Sequence, residues 1–245
     1  MKFPGDWIVP DWPAPPHVRA FITSRNGGVS RGPYTSFNLG LSTGDDPEAV
    51  RENRARLMRH LPQAPAWLQQ QHSTAVVEAD GMERPLLADA SIARQPGTVC
   101  AIMVADCVPV LFTDHAGSVV AAAHAGWRGL AGGVLEKTVE QMGVAPQTLL
   151  AYLGPGIGAT AFEVGPEVRD AFVMKDEHAV EAFSPFSPGK WLADLYRLAR
   201  LTLARAGVTA VYGGRLCTVS DPSRFFSYRR DQITGRMAAL IWRER

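Results

Sequence analysis

Apolar positions in the middle of the chain run on without the alternation of a half-exposed strand. Residues 98–105 (TVCAIMVA) are nearly continuous and rich in β-branched side chains, the pattern of a strand buried on both faces. Residues 108–113 follow, interrupted at Pro109; 114–117 read as a turn, and 118–123 (SVVAAA) form a second buried strand. Turn and flanking strands predict a hairpin. Residues 148–153 and 208–212 add further strands.

Helical spacing lies between and around these runs. Residues 47–59 begin at Pro47 behind Asp46, a good cap with proline in the first turn. Val134–Met142 stops at Gly143, and Pro166–Val173 follows Gly165. Residues 191–206 carry Trp191, Leu195, Leu198 and Thr202 at helical spacing and end at Gly207, while 184–190 (SPFSPGK) read as the loop before that helix. Hairpins mixed with separated helices predict an α/β (α+β) fold of layered mixed sheets with helices packed outside. No repeat, low-complexity tract or long linker divides the chain, so a single domain over 1–245 is expected.

Composition narrows the function classes. With 46% apolar and 20% charged residues among 245 the chain suits a globular core, and a formal charge of +1 calls for neither nucleic acid nor an anionic membrane. The opening MKFPGDWIVPDWPAPP lacks the apolar core of a signal peptide, and no apolar run reaches membrane-spanning length. Three cysteines in such a chain are expected to be cytoplasmic thiols or metal ligands instead of a disulfide framework.

Reactive side chains fall where strands end. Asp106 and Cys107 interrupt the apolar run in VADCVPV, residues 104–110, and His124 directly follows SVVAAA in HAGWRG, residues 124–129. Counted from the 114–117 turn, Cys107 and His124 lie about equally far out on the two arms and become neighbours if the hairpin forms. Ala125, Gly126 and Gly129 are small enough to leave room for a ligand beside them. His72 in WLQQQHSTAVV is a third candidate. One thiolate and two imidazoles make a three-ligand set for zinc with a fourth position open. Cys100 reads as core, and His17, His60, His115 and His178 as solvated side chains outside the site.

Further motifs carry a resemblance. TSRNGGVS at 23–30, SFNLG at 36–40, QQH at 70–72, ADCVPV at 105–110, HAGWRG at 124–129, GPGIG at 154–158, FEVG at 162–165 and FFSYRRDQITGRMAALIW at 225–242 run nearly end to end. With these the chain resembles the YfiH family, also called peptidoglycan editing factors, purine nucleoside phosphorylases or laccase-domain proteins. The resemblance implies one zinc on His72, Cys107 and His124 and a layered fold similar to certain cysteine hydrolases. It implies phosphorolysis of adenosine, inosine, guanosine and methylthioadenosine, with deamination of adenosine. Gln71 stands where the family usually has valine, and Val104 where it commonly has threonine; neither is a presumed ligand.

Phosphorolysis needs a phosphate site, for which arginine forks are suited. Arg25 in the SRNGG loop is the first candidate and Arg229 in FSYRRD the second, while Asn38 could meet a ribose hydroxyl or the base or equally cap a turn. Deamination needs a carboxylate to carry a proton, and Asp106 or Glu163 could supply it, with capping of backbone amides as the alternative for Asp106. Two rivals use the same residues: a metal-free cysteine hydrolase or amidase editing peptidoglycan precursors, with Cys107 as nucleophile and His124 as base, and a copper polyphenol oxidase. The scattered histidines, six in all, argue against a multicopper cluster. Small-molecule nucleosides and phosphate are the expected partners, and the sequence sets no oligomeric state.

Overall fold

The computed structural model describes residues 4–244; residues 1–3 and 245, the ends of the expected domain, lie outside it. In chain order the strands are β1 Val18–Ile22, β2 Leu68–Gln69, β3 Val76–Glu78, β4 Leu86–Leu87, β5 Ala90–Ala93, β6 Cys100–Val104, β7 Val108–Asp114 and β8 Val120–Ala125. They continue with β9 Leu149–Leu153, β10 Glu163–Val164, β11 Phe183–Ser187, β12 Lys190–Ala193, β13 Ala210–Gly213 and β14 Met237–Arg243. The helices are α1 Pro47–Met58, α2 Trp127–Gly132, α3 Val134–Met142, α4 Pro166–Val173, α5 Leu195–Arg205 and α6 Tyr228–Asp231.

Two sheets stack at the centre. A six-stranded mixed sheet has the order β13-β9-β7-β8-β5-β3, and an antiparallel one has the order β1-β14-β6. Val108, Val110, Phe112, Ala121 and Ala123 of the larger sheet pack with Leu130, Leu135, Val139, Leu198 and Leu203 of the helices. Its other face, through Leu111, Val120 and Ala122, meets Ile22, Ile102, Val104, Ala239 and Ile241 of the smaller sheet. The far side of that sheet, through Phe21, Ala101, Leu240 and Trp242, is closed by Trp7, Phe37, Leu39 and Leu57. Every strand of the hairpin is therefore covered on both faces, which is why its sequence shows no alternation. Each such Val, Leu or Phe contributes roughly 1.5–3 kcal/mol, so the framework under the hairpin is rigid.

The β7–β8 hairpin forms as expected and pairs Pro109 with His124. Pro109 does not break β7: it is the second residue of the strand, and its carbonyl accepts the Gly154 amide at 2.8 Å. The helices expected at 47–59, Val134–Met142 and Pro166–Val173 are present, with the Asp46 carboxylate accepting the Glu48 amide. Residues 184–190 correct the expected loop. They belong to the β11–β12 hairpin, turned at Gly189 with φ 70°, and Trp191 lies in a strand opposite Val164. The following helix starts only at Leu195, capped by Asp194, which accepts the Arg197 amide. Four of the five residues of β11 are exposed, so hydrophobicity gave no strand signal there. No described helix is long and apolar enough to cross a membrane.

Between β6 and β7 the chain leaves the small sheet and enters the large one within three residues, Ala105, Asp106 and Cys107. This crossing builds the site.

Candidate metal centre

Two kinds of constraint converge on the crossing. The β7–β8 register puts Val108 opposite Ala125, so Cys107 sits just beyond the end of β7, near His124. Asp106 turns the chain with φ 88° and His72 has φ 59°; with Gln232 they are the non-glycine residues of positive φ among the described residues. Such conformations cost about 1–3 kcal/mol and persist where neighbours enforce them. At Asp106 the enforcement is visible. Its carboxylate accepts the Thr218 hydroxyl at 2.5 Å and the Arg229 amide at 2.6 Å, while its carbonyl accepts the Ile157 amide of the GPGIG loop at 2.7 Å.

Asp89 enforces His72. It is fully buried and lies beside His124, because β5 pairs Ala90 with Ala123. Oδ1 accepts the His72 amide at 2.9 Å and meets His124 Nδ1 at 2.8 Å. Oδ2 accepts the amides of Gln71 and Ser73, at 3.1 and 2.6 Å, and the Ser73 hydroxyl at 2.7 Å. Burial alone would raise the Asp89 pKa, but the bonds from His124, Ser73 and Gln71 hold it well below the ordinary 3.8. A second clasp fixes the strand before His72, since the Gln70 amide group exchanges two 2.8 Å bonds with the Met103 backbone.

The outcome is one group of donors. Cys107 Sγ lies 3.6 Å from His72 Nε2, and the ligand atoms of His72, Cys107 and His124 all lie within 4.8 Å of one another. A tetrahedral zinc with nitrogen at ~2.05 Å and sulfur at ~2.3 Å holds such a pair about 3.6 Å apart, so this edge fits the ion. With Asp89 on Nδ1, His124 has Nε2 left for a metal, the usual carboxylate–histidine arrangement behind a ligand. Among the described residues no other group of three or more potential ligands forms.

The small residues of HAGWRG do something other than the sequence suggests. A Cβ at Gly126 would meet His72 Cδ2 at 2.7 Å and Cys107 Sγ at 2.8 Å. One at Gly129 would meet the Ser73 carbonyl at 3.0 Å, and one at Gly132 the Thr74 methyl at 2.7 Å. The glycines thus let the 72–74 segment lie against α2; the room is filled by a ligand residue of the protein.

Without metal the group is a charged pair. Burial by itself would raise the Cys107 pKa, yet His124 and His72 pull it down to about 6. Burial would likewise lower His124, which the Cys107 thiolate and Asp89 push up to about 9. Between these values the thiolate–imidazolium form prevails. Metal-free protein carrying Cys217→Ser is therefore expected to react with iodoacetamide at Cys107 along a curve rising with pH through about 6. Mass-spectrometric rates check it; a midpoint near the ordinary 9.0 would remove the pair. Cys100 stays silent in this assay, fully buried and pushed up to about 12.

The remaining candidates divide. Arg229 and Glu163 are both exposed: Arg229 donates through its amide to Asp106 and through Nη1 to the Glu163 carbonyl at 2.9 Å, over the Phe162 ring. Asp106 is nearly buried, and both its carboxylate oxygens hold the loop, the backbone-capping alternative to a proton carrier. Arg25 is engaged elsewhere. Its Nε and Nη1 donate to the carbonyls of Thr35 and Pro222, and it lies over Phe226, so it ties two loops together. Asn38 is fully buried, with Nδ2 on Gly40, Thr43 and Asp45 and Oδ1 accepting the amides of Gly40 and Arg236. No atom of it is left for a ribose. His115 and His178 are exposed, whereas His17 and His60 are half-buried, against the Gly117 carbonyl and the Trp7 ring. Asp89 is the functional residue the sequence reading missed; an acid within the apolar PLLADASIA was its one local signal.

Residues 19–244 match a family described as multi-copper polyphenol oxidoreductase laccase. A purine nucleoside phosphorylase of Pseudomonas aeruginosa is 58% identical over 237 residues, covering 96% of this chain and 98% of the relative. The purine nucleoside phosphorylase YfiH of Escherichia coli is 53% identical over 238 residues, with 96% and 98% covered. Among solved structures, a Neisseria meningitidis protein superposes with a TM-score of 0.95 at 55% identity, covering 98% of this chain and 100% of the other. Bacillus licheniformis YfiH gives a TM-score of 0.88 at 30% identity, with 93% of each chain covered.

Proposed function

Because this chain belongs to the multi-copper polyphenol oxidoreductase laccase family and is similar to proteins named purine nucleoside phosphorylases, we propose that it cleaves purine nucleosides with phosphate at the His72–Cys107–His124 centre, with zinc as the ion held there. The observation that carries the reading is the convergence of three donors from distant segments over one buried carboxylate, Asp89. In the reaction a phosphate oxygen bonds to ribose C1′ as the C1′–N9 bond breaks. Ribose 1-phosphate and free purine result, and the purine takes up a proton. Adenosine, inosine, guanosine and methylthioadenosine are the proposed substrates, with a second reaction in which the oxygen of water bonds to adenosine C6 as the C6–N bond breaks, giving inosine and ammonia.

When bound, the ion supplies a Lewis-acid position beside the substrate. The chain's own residues do the rest. Asp89 holds the proton on His124 Nδ1 and thereby directs Nε2 into the centre. Asp106 fixes Cys107 at the crossing. Glu163, an exposed carboxylate, is assigned the proton transfer that deamination needs.

A second reading rests on the same carboxylate. Cys107, His124 and Asp89 stand in the order nucleophile, base and orienting acid, the arrangement of a cysteine hydrolase or amidase. Copper would also suit the nitrogen and sulfur donors. One mononuclear group, however, does not provide the several coppers of a multicopper oxidase.

Adenosine incubated with purified protein, with and without phosphate, tests the choice by product analysis. Adenine and ribose 1-phosphate are expected only with phosphate, and inosine reports deamination. No purine product at any zinc or copper loading would end the nucleoside reading, and metal-free amide hydrolysis lost on Cys107 alkylation would install the second.

A further inference from the structure

We propose that Arg236 is the phosphate-binding residue of this centre, taking inorganic phosphate, or the phosphate of ribose 1-phosphate, on its free guanidinium edge. The assignment rests on the phosphorolysis reading for its ligand and on the following observations for its place.

The β14–β6 register pairs Met237 with Val104. Arg236, one residue earlier, therefore stands level with Ala105, next to the Asp106–Cys107 crossing. Its backbone amide donates to Asn38 Oδ1 at 2.8 Å, and its side-chain stem lies against Gly40, where a Cβ would meet Cγ at 2.9 Å. The buried Asn38 and the bare Gly40 of the SFNLG motif thus place this arginine, and Asn38 acts as a positioning residue for it.

The guanidinium is half-buried and incompletely matched. Nη1 donates to the carbonyls of Thr234 and Gly235, at 3.1 and 3.0 Å, while Nε and Nη2 have no hydrogen-bond partner among the described residues. No carboxylate of the described residues lies within ion-pair distance of it. A partly desolvated cation without a bonded anion is costly, and a ligand that supplies one is favoured. Burial lowers the Arg236 pKa, and the charges of Cys107 and Asp106, together with Tyr228 and Tyr34, act against that lowering. The guanidinium thus lies within electrostatic reach of Cys107 and Asp106, and it is charged. A planar fork with two open nitrogens matches two phosphate oxygens. Arg25 has two of its nitrogens on carbonyls of distant loops, and Arg229 is exposed with one nitrogen on Glu163, so neither offers a desolvated fork beside Cys107.

Inorganic phosphate binding to the zinc-loaded protein, measured by equilibrium dialysis, tests the assignment on wild type, Arg236→Gln and Arg236→Lys. The Kd for phosphate is expected to rise about 10–100-fold in Arg236→Gln and less in Arg236→Lys, on the scale of a lost charge-assisted pair. In the phosphorolysis assay the phosphate KM should rise while the adenosine KM stays within about twofold. Zinc content and thermal midpoint report folding, and if the glutamine variant fails to fold, Arg236→Lys carries the test because a point charge lacks the fork. Unchanged phosphate binding in the folded variants overturns the assignment, and so does a wild type that binds no phosphate. Wild-type protein that binds phosphate through Arg236 but forms no ribose 1-phosphate would keep the site and remove phosphorolysis. Normal product with an unchanged phosphate KM would do the reverse.

Discussion

Asp89→Asn is expected to lower the thermal midpoint by roughly 10 °C and to weaken metal binding roughly 10–100-fold. The carboxylate accepts from five donors on four residues of the chain: the amides of Gln71, His72 and Ser73, the Ser73 hydroxyl and His124 Nδ1. An asparagine presents one carbonyl oxygen and one amide group. Whichever way it turns, an N–H faces N–H or O–H donors in a site with no solvent exposure. Flipped one way it leaves His72 and His124 unsupported; flipped the other it releases Gln71 and Ser73. Because the folded-state pKa of Asp89 is depressed, its stabilising contribution is fully present above the ordinary 3.8 and is lost as pH falls through the lower folded value. At neutral pH the whole effect is therefore visible. Calorimetry and metal titration of the variant check it, and a variant with wild-type midpoint and affinity would show that the carboxylate does not organise the centre.

Cys107→Ser is expected to leave the fold intact while removing the metal and cutting nucleoside cleavage by about 10³-fold or more, as when one member of a catalytic unit is lost. A serine hydroxyl is nearly the size of the thiol but stays protonated at neutral pH, so the anionic ligand disappears. Cys107 follows a turn held independently by Thr218, Arg229 and Ile157, so the backbone has no cause to move. Circular dichroism, metal analysis and product assay separate the effects. Retained zinc with retained cleavage would place the chemistry elsewhere.

The hairpin and half of the site were legible in the sequence because both depend on local order. Two apolar arms about a turn specify which residues come near one another: the count sets Cys107 across from His124, and the structure, shifted by two residues, pairs Pro109 with His124 and leaves Cys107 just beyond the strand end beside it. Asp89 was hidden because its partners arrive from residues 71–73 and 124, which only the pairing of β5 with β8 brings together. The partners of Arg25 and Asn38 were hidden for a related reason. Polar residues in glycine-bearing loops suggest ligands, but their partners here are backbone groups as remote as Pro222 and Arg236. Residues 184–190 show the limit of periodicity: an exposed hairpin rich in serine and proline has no apolar face to announce it.

The most direct test follows ribose 1-phosphate formed from adenosine and phosphate as zinc is returned stepwise to metal-free protein. Product formation is expected to rise in proportion to added metal, to level off at one equivalent per chain, and not to rise at all in Cys107→Ser. Phosphate-dependent cleavage by the metal-free protein, or a fully loaded protein that forms no ribose 1-phosphate, would contradict that expectation.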